Sequence, residues 1–91
     1  MTRRIGQELD IQGVIRHKFG KHQNEVRFAG WAPDGQAIIN LPQQCRKYTA
    51  PAEVVLKTLR AIPLPGSLVS EALHNAGAKG QFYQRKGSCE P

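Results

Sequence analysis

EVRFAGWAPDGQAIINL, residues Glu25 to Leu41, reads as two extended arms about a turn. Val26 and Phe28 alternate with Glu25 and Arg27, the period of a strand with one buried face. Pro33-Asp34-Gly35 supplies the turn: Pro presets φ, the Asp carboxylate accepts from its own backbone, and Gly tolerates positive φ. Ala37, Ile38 and Ile39 open a β-prone run beyond it. The stretch predicts a β-hairpin around which the other segments pack. Trp31 falls on the opposite parity from Phe28, so either a bulge at Ala29-Gly30 re-aims it or it is exposed.

Towards the N-terminus, Leu9, Ile11, Ile15 and Phe19 occupy odd positions, with Gly13 and His17 between them, while Asp10, Gln12, Arg16 and Lys18 take even ones. This alternation predicts a half-buried strand of about ten residues. Gly20 to Asn24 then forms the loop that turns it back into the hairpin, giving a three-stranded antiparallel meander. The expected core face carries Leu9, Ile11, Ile15, Val26 and Phe28.

Towards the C-terminus, Pro42 ends the third strand because it has no N–H for a ladder. Gln43 to Tyr48 reads either as one helical turn or as an irregular basic connection. Thr49 is the expected N-cap of a helix with Pro51 and Glu53 in its first turn, and Ala52, Val55, Leu56, Leu59 and Ile62 lie at helical spacing. Pro63-Leu64-Pro65-Gly66 makes a corner. Ser67 then caps a shorter helix carrying Val69, Ala72, Leu73 and Ala76, which ends at Gly77. Gln81 to Lys86 completes the pattern as a short strand with Phe82 turned into the core. The order β-β-β-α-α-β is that of an α+β domain: a three-stranded antiparallel meander, two short helices and a final short strand. Residues 1–7 are a basic arm, 8–86 the domain, and 87–91 a disordered tail.

Ninety-one residues are enough for one modest core. No run approaches the roughly 18 apolar residues of a membrane-spanning helix, and no apolar segment follows Arg3-Arg4, so the expected location is cytoplasmic. Cys45 and Cys89 are then expected as reduced thiols. Against 7 Asp and Glu stand 13 Lys and Arg, a net charge of +6 that favours phosphate backbones or acidic protein surfaces.

Three basic clusters carry the functional reading. Arg16, Lys18, Lys21 and His22 lie at the expected hairpin tip, and Arg46 and Lys47 precede Tyr48. Tyr83, Arg85 and Lys86 interleave an aromatic ring with cations, a combination that stacks bases while neutralising phosphates. Arg27 and Trp31 add contacts from the hairpin itself. These residues suggest a small non-enzymatic binding protein whose partner is RNA, DNA or a nucleoprotein complex. Its size and charge are those of phage or plasmid accessory proteins, although no motif is specific enough to name a family. An alternative is an inhibitor or adaptor that docks on a nucleic-acid-handling complex, as anti-defence (anti-CRISPR) proteins do, with Trp31 as anchor. A third is a small metal-independent RNase using His22 with Lys21 or Asp34. The spacing of histidines 17, 22 and 74 and of the two cysteines matches no zinc motif. No phosphate loop is present, so no cofactor, metal or small-molecule substrate is expected.

Overall fold

A computed structural model describes residues 10–63 and 68–83. The fold is α+β, a four-stranded antiparallel sheet with three helices on one face. In chain order the elements are α1 (Ile11–Phe19), a 3-10 segment (Gly20–Glu25), β1 (Arg27–Trp31), β2 (Ala37–Leu41), a 3-10 turn (Pro42–Gln44), β3 (Arg46–Ala50), α2 (Ala52–Ala61), α3 (Val69–Asn75) and β4 (Lys79–Phe82). The sheet order is β1-β2-β3-β4, so the meander of the first three strands is extended by β4 along the outer edge of β3. Leu9, the arm, the Pro63–Gly66 corner beyond Pro63, the Ser67 cap, Arg85, Lys86 and the tail lie outside the described residues.

The hairpin forms as its residues require. Gly35 takes φ 89°, the Gln36 N–H donates to Asp34 Oδ1 at 3.1 Å, and the Ala32 N–H donates to Gln36 O at 2.8 Å. A bulge between Phe28 and Gly30 shifts the β1 register, with Gly30 at φ 125°. Phe28 pairs with Ile39 and Trp31 with Ala37, so the extra residue brings Trp31 onto the face of Phe28. The two rings meet edge to face, with centroids 5.2 Å apart.

The expected strand at Leu9–Phe19 is instead helix α1. Ile11, Ile15 and Phe19 are spaced by four, which places them on one helical face as readily as on one strand face. His17, at an intervening odd position, decides the matter: a buried strand face would need it apolar, and on the helix it is exposed. Asp10 supplies the N-cap, its Oδ1 accepting from the Gly13 N–H at 3.1 Å. The three apolar side chains are at most 1% exposed.

The meander keeps three strands because Arg46–Ala50 joins it, resolving the ambiguous Gln43–Tyr48 segment into a 3-10 turn followed by a strand. Tyr48 and Ala50 alternate into the core opposite Ile39 and Ala37. Thr49 is therefore a strand residue, not an N-cap. Pro51 occupies that position, with no side-chain cap, and the Val55 N–H donates to its carbonyl at 3.1 Å. The α2 stripe Ala52, Val55, Leu56, Leu59 and Ile62 is buried as its spacing demands. At the end of α3, the Ala78 N–H reaches Leu73 O at 3.0 Å and the Gly77 N–H reaches His74 O at 3.1 Å, the paired bonds of a glycine-terminated helix with Gly77 at φ 91°.

All three helices contribute to one core with Ala37, Ile39, Leu41, Tyr48 and Ala50 of the sheet. Phe82 departs from expectation: it is 58% exposed, because the register sets it opposite Arg46 on the edge strand. The thiols also depart. Cys45 is 1% exposed and disulfide-bonded, and the chain has one other cysteine, Cys89, outside the described residues.

Candidate nucleic-acid interface

Strand register decides which side chains share the sheet face turned away from the helices. Arg27 pairs with Asn40, Asn40 with Lys47 and Lys47 with Gln81, so these four form one row across all four strands. The next row on that face is Gly30, Ile38, Thr49 and Lys79. With neighbouring strands about 5 Å apart, Arg27 and Lys47 stand roughly 10 Å from each other. The face thus presents three cations, two amides and a hydroxyl around one aliphatic side chain. None of the four strands contains an acidic residue. Arg27, Lys79 and Gln81 are exposed, and Asn40, Lys47 and Thr49 are half-buried.

The charges on this face are uncommitted. Among the described residues, Arg27, Lys47 and Lys79 make no side-chain hydrogen bond or ion pair. Asn40 Oδ1 is buried without a hydrogen-bond partner, an arrangement that costs free energy.

The Arg16–His22 cluster is not a hairpin tip. It spans the last turn of α1 and the start of the 3-10 segment, and its members diverge. Arg16 and Lys21 are exposed. Lys18 turns inward, its ammonium donating to the carbonyls of Leu59 and Ile62 at the end of α2. His22 is half-buried with Nδ1 3.4 Å from Glu25 Oε2, whereas His17 is exposed, the reverse of the exposure that strand parity implied. Asp34 is occupied in its own turn.

The remaining candidates also separate. Arg27 and Lys47 share the open face, but Arg46 alternates to the helix side, where its guanidinium lies 4.8 Å from the Phe82 ring centroid. Tyr48, the aromatic residue that follows Arg46 and Lys47, is 3% exposed, and its hydroxyl lies 3.0 Å from Ser70 Oγ. Tyr83 is half-buried and follows β4, its N–H donating to Cys45 O at 2.9 Å. Trp31 is 46% exposed on the helix side of edge strand β1. Lys79, Asn40 and Gln81 belong to none of the three basic clusters of the sequence. The signal that finds them is the register together with the absence of acids from every strand.

A concavity of about 400 Å³ lies on the helix side between β3 and α3 and is lined by Gln44, Arg46, Tyr48, Ser70, Glu71 and His74. Among the described residues no three His, Cys, Asp or Glu side chains come together to hold a metal ion, and no helix is long and apolar enough to cross a membrane. The chain matches no protein-family profile, no curated protein and no solved structure at a significant level.

Proposed function

We propose that the protein is a non-enzymatic nucleic-acid-binding module that lays a single strand across the open face of its sheet. The observation that carries this reading is the pair of registered rows in which Arg27, Lys47 and Lys79 stand unpaired, with Asn40 and Gln81 between them and no carboxylate in any strand. A flat, shallow face suits an extended strand better than the groove of a duplex. Cations neutralise its phosphates, and amides hydrogen-bond exposed base edges. The two registered rows carry no aromatic ring, so affinity there rests on phosphate neutralisation rather than stacking. It falls steeply with salt and discriminates weakly among sequences.

The test is the anisotropy of a labelled single-stranded oligonucleotide titrated at several salt concentrations. The triple variant Arg27→Ala/Lys47→Ala/Lys79→Ala should lower the slope of log K against log salt by about 2, while Arg16→Ala/Lys21→Ala changes it little. Absence of binding at low salt, or an equal loss in the α1 variant, overturns the reading.

With a nucleic-acid partner the protein would work in the cytoplasm, a compartment where disulfides are ordinarily reduced, so the bond at Cys45 stands against this location. A second reading, docking on a protein within a nucleoprotein complex, draws its support from Trp31, whose 46% exposure suits an anchor residue. Partners captured by the protein that survive nuclease treatment and are lost in Trp31→Ala favour it.

A further inference from the structure

The cleft between β3 and α3 stands on the opposite side of the sheet from Arg27, Lys47 and Lys79, and its chemistry is of another kind. Arg46 is half-buried, with its guanidinium under the Phe82 ring. Among the described residues its guanidinium makes no hydrogen bond or ion pair, so the ring holds a planar fork of N–H donors in place with its hydrogen-bonding capacity unused. Tyr48 and Ser70 share one hydrogen bond at 3.0 Å. Two hydroxyls carry two protons, and only one lies between them, which leaves one O–H donor for a ligand. Glu71 and His74 follow on exposed positions of α3, one turn apart. Phe82 does not line the cleft but stands at its rim beside Arg46, and at 58% exposure offers the ring face that Arg46 does not cover.

We infer that this cleft binds a nucleoside monophosphate unit. Its phosphate takes the Arg46 fork and the free hydroxyl proton, its ribose hydroxyls donate to the Glu71 carboxylate, and its base stacks on the open face of Phe82. Phosphate and ribose answer side chains that line the cleft, and the base answers the ring at its rim. A bare oxyanion would be repelled by Glu71 and would leave Phe82 uncovered, and an uncharged sugar would leave the Arg46 fork unpaired. The volume of about 400 Å³ lies within the range of small-ligand sites. The unit is either a free mononucleotide or the phosphorylated end of an RNA strand.

The experiment is an amide and guanidinium NMR titration of the full oxidised chain with AMP, adenosine and inorganic phosphate separately. AMP should shift Arg46, Ser70, Glu71 and Phe82 saturably, with adenosine and phosphate each binding at least about tenfold more weakly. Arg46→Gln should weaken AMP by about 10- to 100-fold. Glu71→Gln, at an exposed site that leaves folding intact, should weaken AMP while strengthening inorganic phosphate. The triple sheet-face variant should bind AMP unchanged, which separates failure of this site from failure of the sheet-face reading. A 5′-phosphorylated oligoribonucleotide that shifts the same resonances below the AMP concentration, unlike its 5′-hydroxyl counterpart, identifies a strand end as the source; equal shifts by both strands with AMP still saturable identify the free nucleotide. No shift with AMP, or binding of inorganic phosphate as tight as AMP, overturns the inference.

Discussion

Lys18 shows how far one side chain's role depends on the element that carries it. On a strand its even position would point to solvent. On α1 it reaches across to α2, and its ammonium binds the Leu59 and Ile62 carbonyls that the helix end leaves without intrahelical donors. A cation there also complements the negative end of the helix dipole. Lys18→Met keeps the aliphatic stem and removes the donors, and should cost about 1–2 kcal/mol in urea unfolding. It should leave oligonucleotide affinity unchanged, since this charge is already committed. Trp31 makes the complementary case. It is the sole tryptophan, and the bulge puts it on the helix side of the sheet, away from the proposed contact face. Trp31→Phe should therefore change affinity for a single strand by under about twofold, and a larger loss would move the interface to the β1 edge. Both alternatives read from the sequence for Trp31 hold together, because a bulge re-aims a residue without supplying anything to cover it.

At the scale of elements, what was legible depended on whether a spacing has one reading. The α2 stripe, with neighbours three and four apart and polar Glu53, Lys57 and Arg60 outside it, fits only a helix. Ile11, Ile15 and Phe19, all four apart, fit both periods, and the position of the Arg16–His22 cluster depends on which period holds. Lys79 carries no strand signal of its own, because Ala78-Lys79-Gly80 has the composition of a loop when taken alone. Only pairing with β3 makes a strand of it, and pairing partners are not written in local sequence. Gly80 states the same dependence in packing terms. A Cβ built on it would lie 2.4 Å from Tyr48 Cε1, since the buried ring lies over the glycine across the β3–β4 pair. Gly80→Ala must push the ring away, parting the Tyr48 hydroxyl from Ser70. The expected cost is about 1–3 kcal/mol by thermal or urea unfolding. Retention of wild-type stability would mean that the ring moves aside freely and that β4 is not pinned there.

For the molecule as a whole, β4 is the element on which both proposed sites converge: Lys79 and Gln81 on one face, Phe82 on the other. As an edge strand it pairs with β3 alone, and its end is held by the Tyr83 N–H donating to Cys45 O. Cys45 makes that bond from the left-handed region, φ 53° and ψ 42°, a conformation that costs a non-glycine residue roughly 1–2 kcal/mol. The disulfide at Cys45 fixes the residue in this strained corner, where the turn after β2 enters β3. Cysteine count alone allowed a reduced pair or a bridge, because spacing carries no information on how near two residues come in space. Reduction and alkylation should lower the unfolding free energy by about 2–4 kcal/mol, read as a fall in urea midpoint. If the disulfide also anchors the β3–β4 edge, the Tyr83 amide should lose hydrogen-exchange protection on reduction before Ile39 in the centre of the sheet does. Both proposed sites should then weaken together, although they share no residue. An unchanged midpoint with unchanged Tyr83 protection would place the stability of this edge in the β3–β4 ladder alone.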